Sequence, residues 1–140
     1  MPKRVFDANI LISHFQQLRP LDGKGERDAE DWARTLITSR NGDAILSPVE
    51  VEFLCGVVNQ HEMRLREAYL RAFKVVDDHK TLAHDWDEAR RLAKHAGFQA
   101  EPRELGDCLI SAISDRLNLE LVTEDRGLIR QRGRTRHRRP

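Results

Sequence analysis

Four acids, Asp7, Glu52, Asp107 and Asp125, stand where carboxylates can do chemistry. Asp7 follows the apolar pair Val5-Phe6 and precedes Ile10, Leu11 and Phe15 at a helical spacing. It therefore sits where a short strand ends and a helix begins. Asp125 likewise follows the apolar Leu121-Val122. Glu52 and Asp107 each fall in the first turns of an expected helix. In open α/β sheets, ligands bind in the crevice outside the carboxyl ends of the strands. Carboxylates held close together repel one another, and a hard divalent cation relieves the repulsion. Mg²⁺ takes oxygen ligands and keeps several waters, so it can hold a phosphate and lower the pKa of an attacking water. The chemistry such a cluster suits is phosphodiester hydrolysis with oxygen ligands alone.

Three of these acids also have a plainer explanation. Asp7 or Asn9 can cap the first helix. Asp107 can serve the helix dipole, and Glu52 can lie on a solvated face. Glu50 has its own local role. In Ser47-Pro48-Val49-Glu50, Ser47 is the expected N-cap, Pro48 the first helical residue and Glu50 the reciprocal capping-box partner. Glu50 and Glu52 are about 200° apart on a helix, so they cannot both face one site.

Other chemistries find less support. The six histidines form no metal-binding spacing, and His84-Asp85-Trp86-Asp87 reads as an exposed helix turn. There is no GxxxxGK[ST] and no GxSxG, hence neither a P-loop nor a hydrolase elbow. Cys55 and Cys108 lie in apolar helical contexts and read as reduced core residues of a cytoplasmic protein.

The elements that must carry these acids alternate between strand and helix. Ala29, Trp32, Ala33, Leu36 and Ile37 make an amphipathic helix ending before Asn41-Gly42, and Ala44-Ile45-Leu46 a buried strand. The helix from Ser47 is expected to run through Phe53, Leu54, Val57 and Val58. Further helices use Leu65, Ala68, Tyr69, Ala72 and Phe73, then Leu82, Trp86, Ala89, Ala93 and Ala96. Val75-Val76 is a brief extended segment between them. A last helix turns Leu109, Ile110, Ile113 and Leu117 inward, before the strand at Leu119, Leu121 and Val122. This alternation predicts an α/β fold with a central, mostly parallel sheet flanked by helices.

A length of 140 residues suits one domain. With 39% hydrophobic and 34% charged residues, no run approaches a membrane span, and no signal peptide is read. The last fifteen residues hold seven of the 24 basic residues and none of the 23 acids, which leaves 17 bases against 23 acids in the rest. The expected division is residues 1–129 as the domain and 130–140 as a flexible basic tail.

Taken in order, Val-Phe-Asp7-Ala-Asn9, Glu52-Phe-Leu-Cys-Gly56, Leu-Gly-Asp107-Cys-Leu-Ile-Ser-Ala and Leu-Val-Thr123-Glu-Asp125 resemble the PIN-domain ribonucleases. Length and layout are most similar to VapC-type toxins of bacterial toxin–antitoxin pairs, and the resemblance covers about residues 3–129. Glu52 rather than Glu50 matches the family's second acid, because glycine follows it by four residues.

The resemblance implies a three-layer fold and a metal-dependent endoribonuclease. Asp7, Glu52, Asp107 and Asp125 would bind Mg²⁺ or Mn²⁺, with Asn9 and Thr123 positioning the aspartates. An activated water would attack the phosphorus in line and leave a 5′-phosphate and a 3′-hydroxyl. The implied partners are an RNA, usually a tRNA or ribosomal RNA loop, a cognate antitoxin protein and a second copy of the chain, with no membrane. Arg126, Arg130, Arg132, Arg134, Arg136, Arg138 and Arg139 are the expected RNA contacts. Two features depart from the family pattern. Ala8 stands where a hydroxyl residue is common, and a basic tail stands where a further strand is usual. Two rival readings remain: a non-catalytic RNA-binding or regulatory module of the same fold, and a haloacid-dehalogenase-type phosphohydrolase. The latter needs a second Asp where this chain has Asn9.

Overall fold

The computed structural model describes residues 3–98, 104–125 and 129. Among the described residues, four short strands form one sheet: β1 (Arg4–Phe6), β2 (Ala44–Ile45), β3 (Lys74–Val75) and β4 (Glu120–Val122). Six helices connect them: α1 (Ala8–Gln16), α2 (Glu26–Arg40), α3 (Ser47–Leu54), α4 (Gln60–Leu70), α5 (Ala83–Phe98) and α6 (Leu105–Arg116). Every crossover carries two helices, and every strand pair is parallel. The order is β3-β2-β1-β4. The chain moves outward from β1 to β3, then returns past β1 to lay β4 on its other side, in register Val5 to Leu121 and Phe6 to Val122. The direction of winding thus reverses between β1 and β4, and the crevice for a ligand is expected at their carboxyl ends. The fold is the α/β arrangement expected of the alternating pattern.

The core sets the rotation of α3. Phe15 of α1, Phe53 of α3 and Tyr69 of α4 pack together with ring centroids 5.1–5.6 Å apart. The buried guanidinium of Arg66 lies 4.9 Å from both the Phe15 and Phe53 rings and donates to the Phe53 carbonyl at 2.6 Å. Val49 and Phe53 are fully buried. At 100° per residue, Glu50 and Glu52 then fall on opposite flanks of that buried stripe. Arg66 takes up a carbonyl near the end of the helix, and Gly56 follows at φ +83°. The helix therefore stops at Leu54 instead of running on to Val58, which is almost fully exposed. Cys55 is exposed rather than a core residue, because it lies in the extended residue just past that stop; Cys108 is buried.

The start of α3 also differs from expectation. Ser47 does not cap its own helix. Its backbone N–H and its hydroxyl both donate to Asp77 Oδ2, at 3.0 and 2.7 Å. The buried Asp77, carried in from beyond β3, is the acceptor at this helix end, with His79 N–H on its other oxygen at 3.2 Å. Glu50 accepts from His79 Nε2 at 2.9 Å, well away from any capping box. Asp77→Ala strands a half-buried hydroxyl and two N–H groups and is expected to cost about 1–3 kcal/mol. Glu50→Ala, which removes an exposed pair, should stay within about 0.5 kcal/mol. Urea denaturation of the two variants measures the difference, and equal losses would restore Glu50 to the helix start.

The inward stripe of α5 is Asp85, Ala89, Leu92 and Ala96. Leu82 and Trp86 are each nearly half exposed, so the expected apolar stripe is rotated. Asp85, at 0% exposure, is the cause: it takes a two-pronged ion pair from Arg116 of α6, at 2.7 and 3.0 Å. It also accepts the Leu82 N–H at 2.8 Å. The His84–Asp87 turn is thus partly core.

Candidate active site

Asp7 is fixed by the end of β4 on one side and the start of α1 on the other. The Asp7 N–H donates to the Val122 carbonyl at 2.9 Å, which ties the residue to the end of β4. Its Oδ1 accepts the Ala8 N–H at 2.8 Å, making it the N-cap of α1. Its Oδ2 accepts from the Thr123 hydroxyl at 2.8 Å. Capping therefore takes one carboxylate oxygen and Thr123 the other. The contact that Ala8 provides is a backbone one.

Thr123 is a hub. Beyond its bond to Asp7, its oxygen accepts from the Asn9 amide at 3.1 Å and from the Asp125 N–H at 3.1 Å. The Asn9 carbonyl oxygen accepts the Glu124 N–H at 3.3 Å. Asn9 thus acts on the loop after β4 through Thr123 and the backbone. It offers no second carboxylate beside Asp7, which removes the footing of the dehalogenase-type reading.

Asp7, Glu52, Asp107 and Asp125 line one cleft of about 410 Å³ at the carboxyl ends of β1 and β4. Ala8, Asn9, Ile12 and Glu104 complete its wall. Glu50 is not among the lining residues. Glu104, the N-cap of α6, is a fifth acid that the sequence reading passed over. The available signal was its spacing, three residues before Asp107 and so on the same helical face.

The electrostatics are those of anions held together at a cost. Burial pushes Asp7 above the usual carboxylate range, against the bonds from Thr123 and Ala8, and Asp125 adds repulsion. Glu52 is pushed up to about 7, first by burial and then by Asp7, Asp107 and Glu104. Among the described residues, no three histidine, cysteine or acidic side chains stand close enough to grip an ion as they are. The donor set nonetheless fits a hard divalent cation. It is all carboxylate, without imidazole or thiolate, and the charge that would be neutralised is already crowded. Mg²⁺ keeps several of its own waters and needs few protein ligands.

The seven arginines from Arg126 to Arg139, and any strand following Asp125, lie outside the described residues. No helix among the described residues is long and apolar enough to cross a membrane.

A family model described as the PIN domain matches residues 4–133. No curated protein and no solved structure matches the chain. The match spans nearly the whole sequence, and the chain belongs to the PIN-domain family. PIN domains are in general nucleases that use divalent metal ions.

Proposed function

We propose that this member of the PIN-domain family is a Mg²⁺- or Mn²⁺-dependent endoribonuclease. The observation that carries the reading is the convergence of Asp7, Glu52, Asp107 and Asp125 on one cleft at the point where the sheet reverses its winding. A bound cation would neutralise the substrate phosphate and lower the pKa of the attacking water. Asp7, Glu52, Asp107 and Asp125 would hold it. Thr123 keeps the Asp7 carboxylate oriented through its hydroxyl, and Asn9 keeps Thr123 and the backbone at Glu124 in place. Without the cation, Glu52 with its pKa near 7 is partly protonated at neutral pH, and binding displaces that proton. The test is cleavage of a labelled RNA by purified protein, with and without Mg²⁺ or Mn²⁺ and after chelation. Metal-dependent product ending in a 5′-phosphate supports the reading. Absence of cleavage across varied RNAs favours the non-catalytic RNA-binding module instead.

The body of the chain is acidic, and its cation would neutralise the scissile region alone. The arginine-rich segment from Arg126 to Arg139 is the source of phosphate contacts in this reading. Deletion of residues 131–140 removes Arg132, Arg134, Arg136, Arg138 and Arg139. It should weaken RNA binding and flatten its salt dependence. With a slope of roughly 0.7 per phosphate on a single strand, four lost contacts change log K against log[salt] by about 3. Cleavage of a short substrate at saturation should persist. Equal affinities and equal slopes for the full and truncated chains would remove the tail from RNA binding.

The likeness to VapC-type toxins supports a narrower reading: a cytoplasmic toxin that cuts a tRNA or ribosomal RNA loop, pairs with a cognate antitoxin and forms a homodimer. Growth arrest on induction in a bacterial host, relieved by Asp7→Asn, is its first requirement.

A further inference from the structure

We propose that Gly106 is a positioning residue for Glu52: the side chain it lacks is the space that the Glu52 carboxylate occupies. The inference rests on the metal-site reading of the cleft and adds to it a residue with no ligating atom of its own. Glu52 reaches the cleft from α3 and packs against the first turn of α6 at Gly106. A Cβ at position 106 would stand 1.6 Å from Glu52 Oε1 and 2.8 Å from its Cδ. Neither distance is compatible with an atom there. Nothing else explains this glycine. It lies in the first turn of a helix, and its backbone has no left-handed φ that would call for glycine. Gly23 and Gly56, by contrast, hold φ of +78° and +83°. Gly25, Gly42 and Gly97 would meet nothing closer than 3.8 Å.

The colliding atoms are the far end of a flexible side chain, so the fold should tolerate alanine while the carboxylate moves. It has reason to leave and room to do so. Asp7, Asp107 and Glu104 all repel Glu52. A groove of about 420 Å³, lined by Pro48, Val51, Leu105 and Leu109, opens beside the Glu52–Gly106 pair. A methyl group at 106 therefore acts on the site through Glu52 and spares the scaffold.

The test is a double-mutant cycle on the full, metal-free chain, with Mn²⁺ alone as the probe and no RNA. Free Mn²⁺ is followed by electron paramagnetic resonance for the wild type, Gly106→Ala, Glu52→Ala and the double variant, each with a thermal melt. Gly106→Ala should weaken Mn²⁺ binding about tenfold or more, with a melting temperature equal to or above the wild type's. In the Glu52→Ala background, the same change should leave Mn²⁺ affinity where Glu52→Ala alone puts it. Glu52→Asp should blunt the effect of Gly106→Ala, because the shorter arm withdraws the carboxylate from the new methyl group. Wild-type affinity in Gly106→Ala, or the same loss in both backgrounds, overturns the proposal. So does failure of Gly106→Ala to fold, since the proposal requires a tolerated alanine. If Glu52→Ala itself binds Mn²⁺ as the wild type does, the metal-site reading falls and this inference with it.

Discussion

Asp7→Asn and Asp107→Asn are expected to lose RNA cleavage by at least about a hundredfold while remaining folded. A cation that stabilises a phosphoryl transition state contributes several kcal/mol, and each 1.36 kcal/mol is tenfold in rate. Removing one of its anionic ligands should forfeit a large part of that. The fold should survive at Asp7 for a local reason. Asparagine is as good an N-cap as aspartate, so its oxygen can still accept the Ala8 N–H. The Thr123 hydroxyl oxygen already accepts from Asn9 and Asp125, so its proton loses the Asp7 acceptor and turns toward Asn9 Oδ1, 3.5 Å away. Burial and Asp125 both make the Asp7 charge costly. The neutral variant should therefore melt at or above the wild-type temperature when no metal is present. Initial rates on a labelled RNA at matched, saturating Mg²⁺ give the activity, and melts in chelator give the stability. Wild-type rates in both variants would sink the metal-site assignment. Loss of activity together with a lower melting temperature would reduce it to a folding defect.

How far the sequence carried the site depended on whether the determining partner was local. The step from strand to helix at Asp7 is written in six consecutive residues, Val5 to Ile10, and the structure has that boundary. The choice between Glu50 and Glu52 was accessible too, because helical geometry forbids both from facing one cleft. Glu52 lines the cleft and Glu50 does not, but the capping argument for Glu50 fails. The sequence makes Glu50 the capping partner of Ser47, whereas the acceptor at that helix end is Asp77, thirty residues along the chain. Asp85 shows the same limit from the other side. A hydropathy stripe assigns an aspartate outward, and only the Arg116 guanidinium, thirty-one residues away, makes its burial tolerable. Gly106 is the sharpest case. In the sequence it is a glycine near a helix start, easily taken for a loop residue. Its meaning lies in a carboxylate from another helix.

The stability that Glu52 costs as pH rises should be offset or reversed when metal is added. Glu52 has its pKa raised to about 7 in the folded chain, against 4.5 as the ordinary value. A raised carboxylate pKa means that the folded state binds the proton more tightly than the unfolded state does. Below pH 4.5 both states are protonated, and the group costs nothing. The cost grows as pH rises toward 7 and is complete above it. Asp7, also raised by burial, adds in the same direction. The lowered pKa values of Glu62 and Asp85 act at acid pH and are spent below the window of interest. His14, lowered by burial, works against the trend, because burial of its neutral form adds stability as pH rises toward 6.5. It does so equally in wild type and in Glu52→Gln, so the difference between them isolates Glu52. In chelator, the stability of the wild type relative to Glu52→Gln should fall between pH 5.5 and 8. With saturating Mn²⁺ that relative fall should vanish or reverse, because the cation binds the deprotonated cluster and competes with the proton. Thermal melts across this range, in chelator and in Mn²⁺, make the comparison. Parallel wild-type and Glu52→Gln curves in chelator would mean that Glu52 is not held at a cost. Curves in Mn²⁺ identical to those in chelator would mean that no cation is there to offset it.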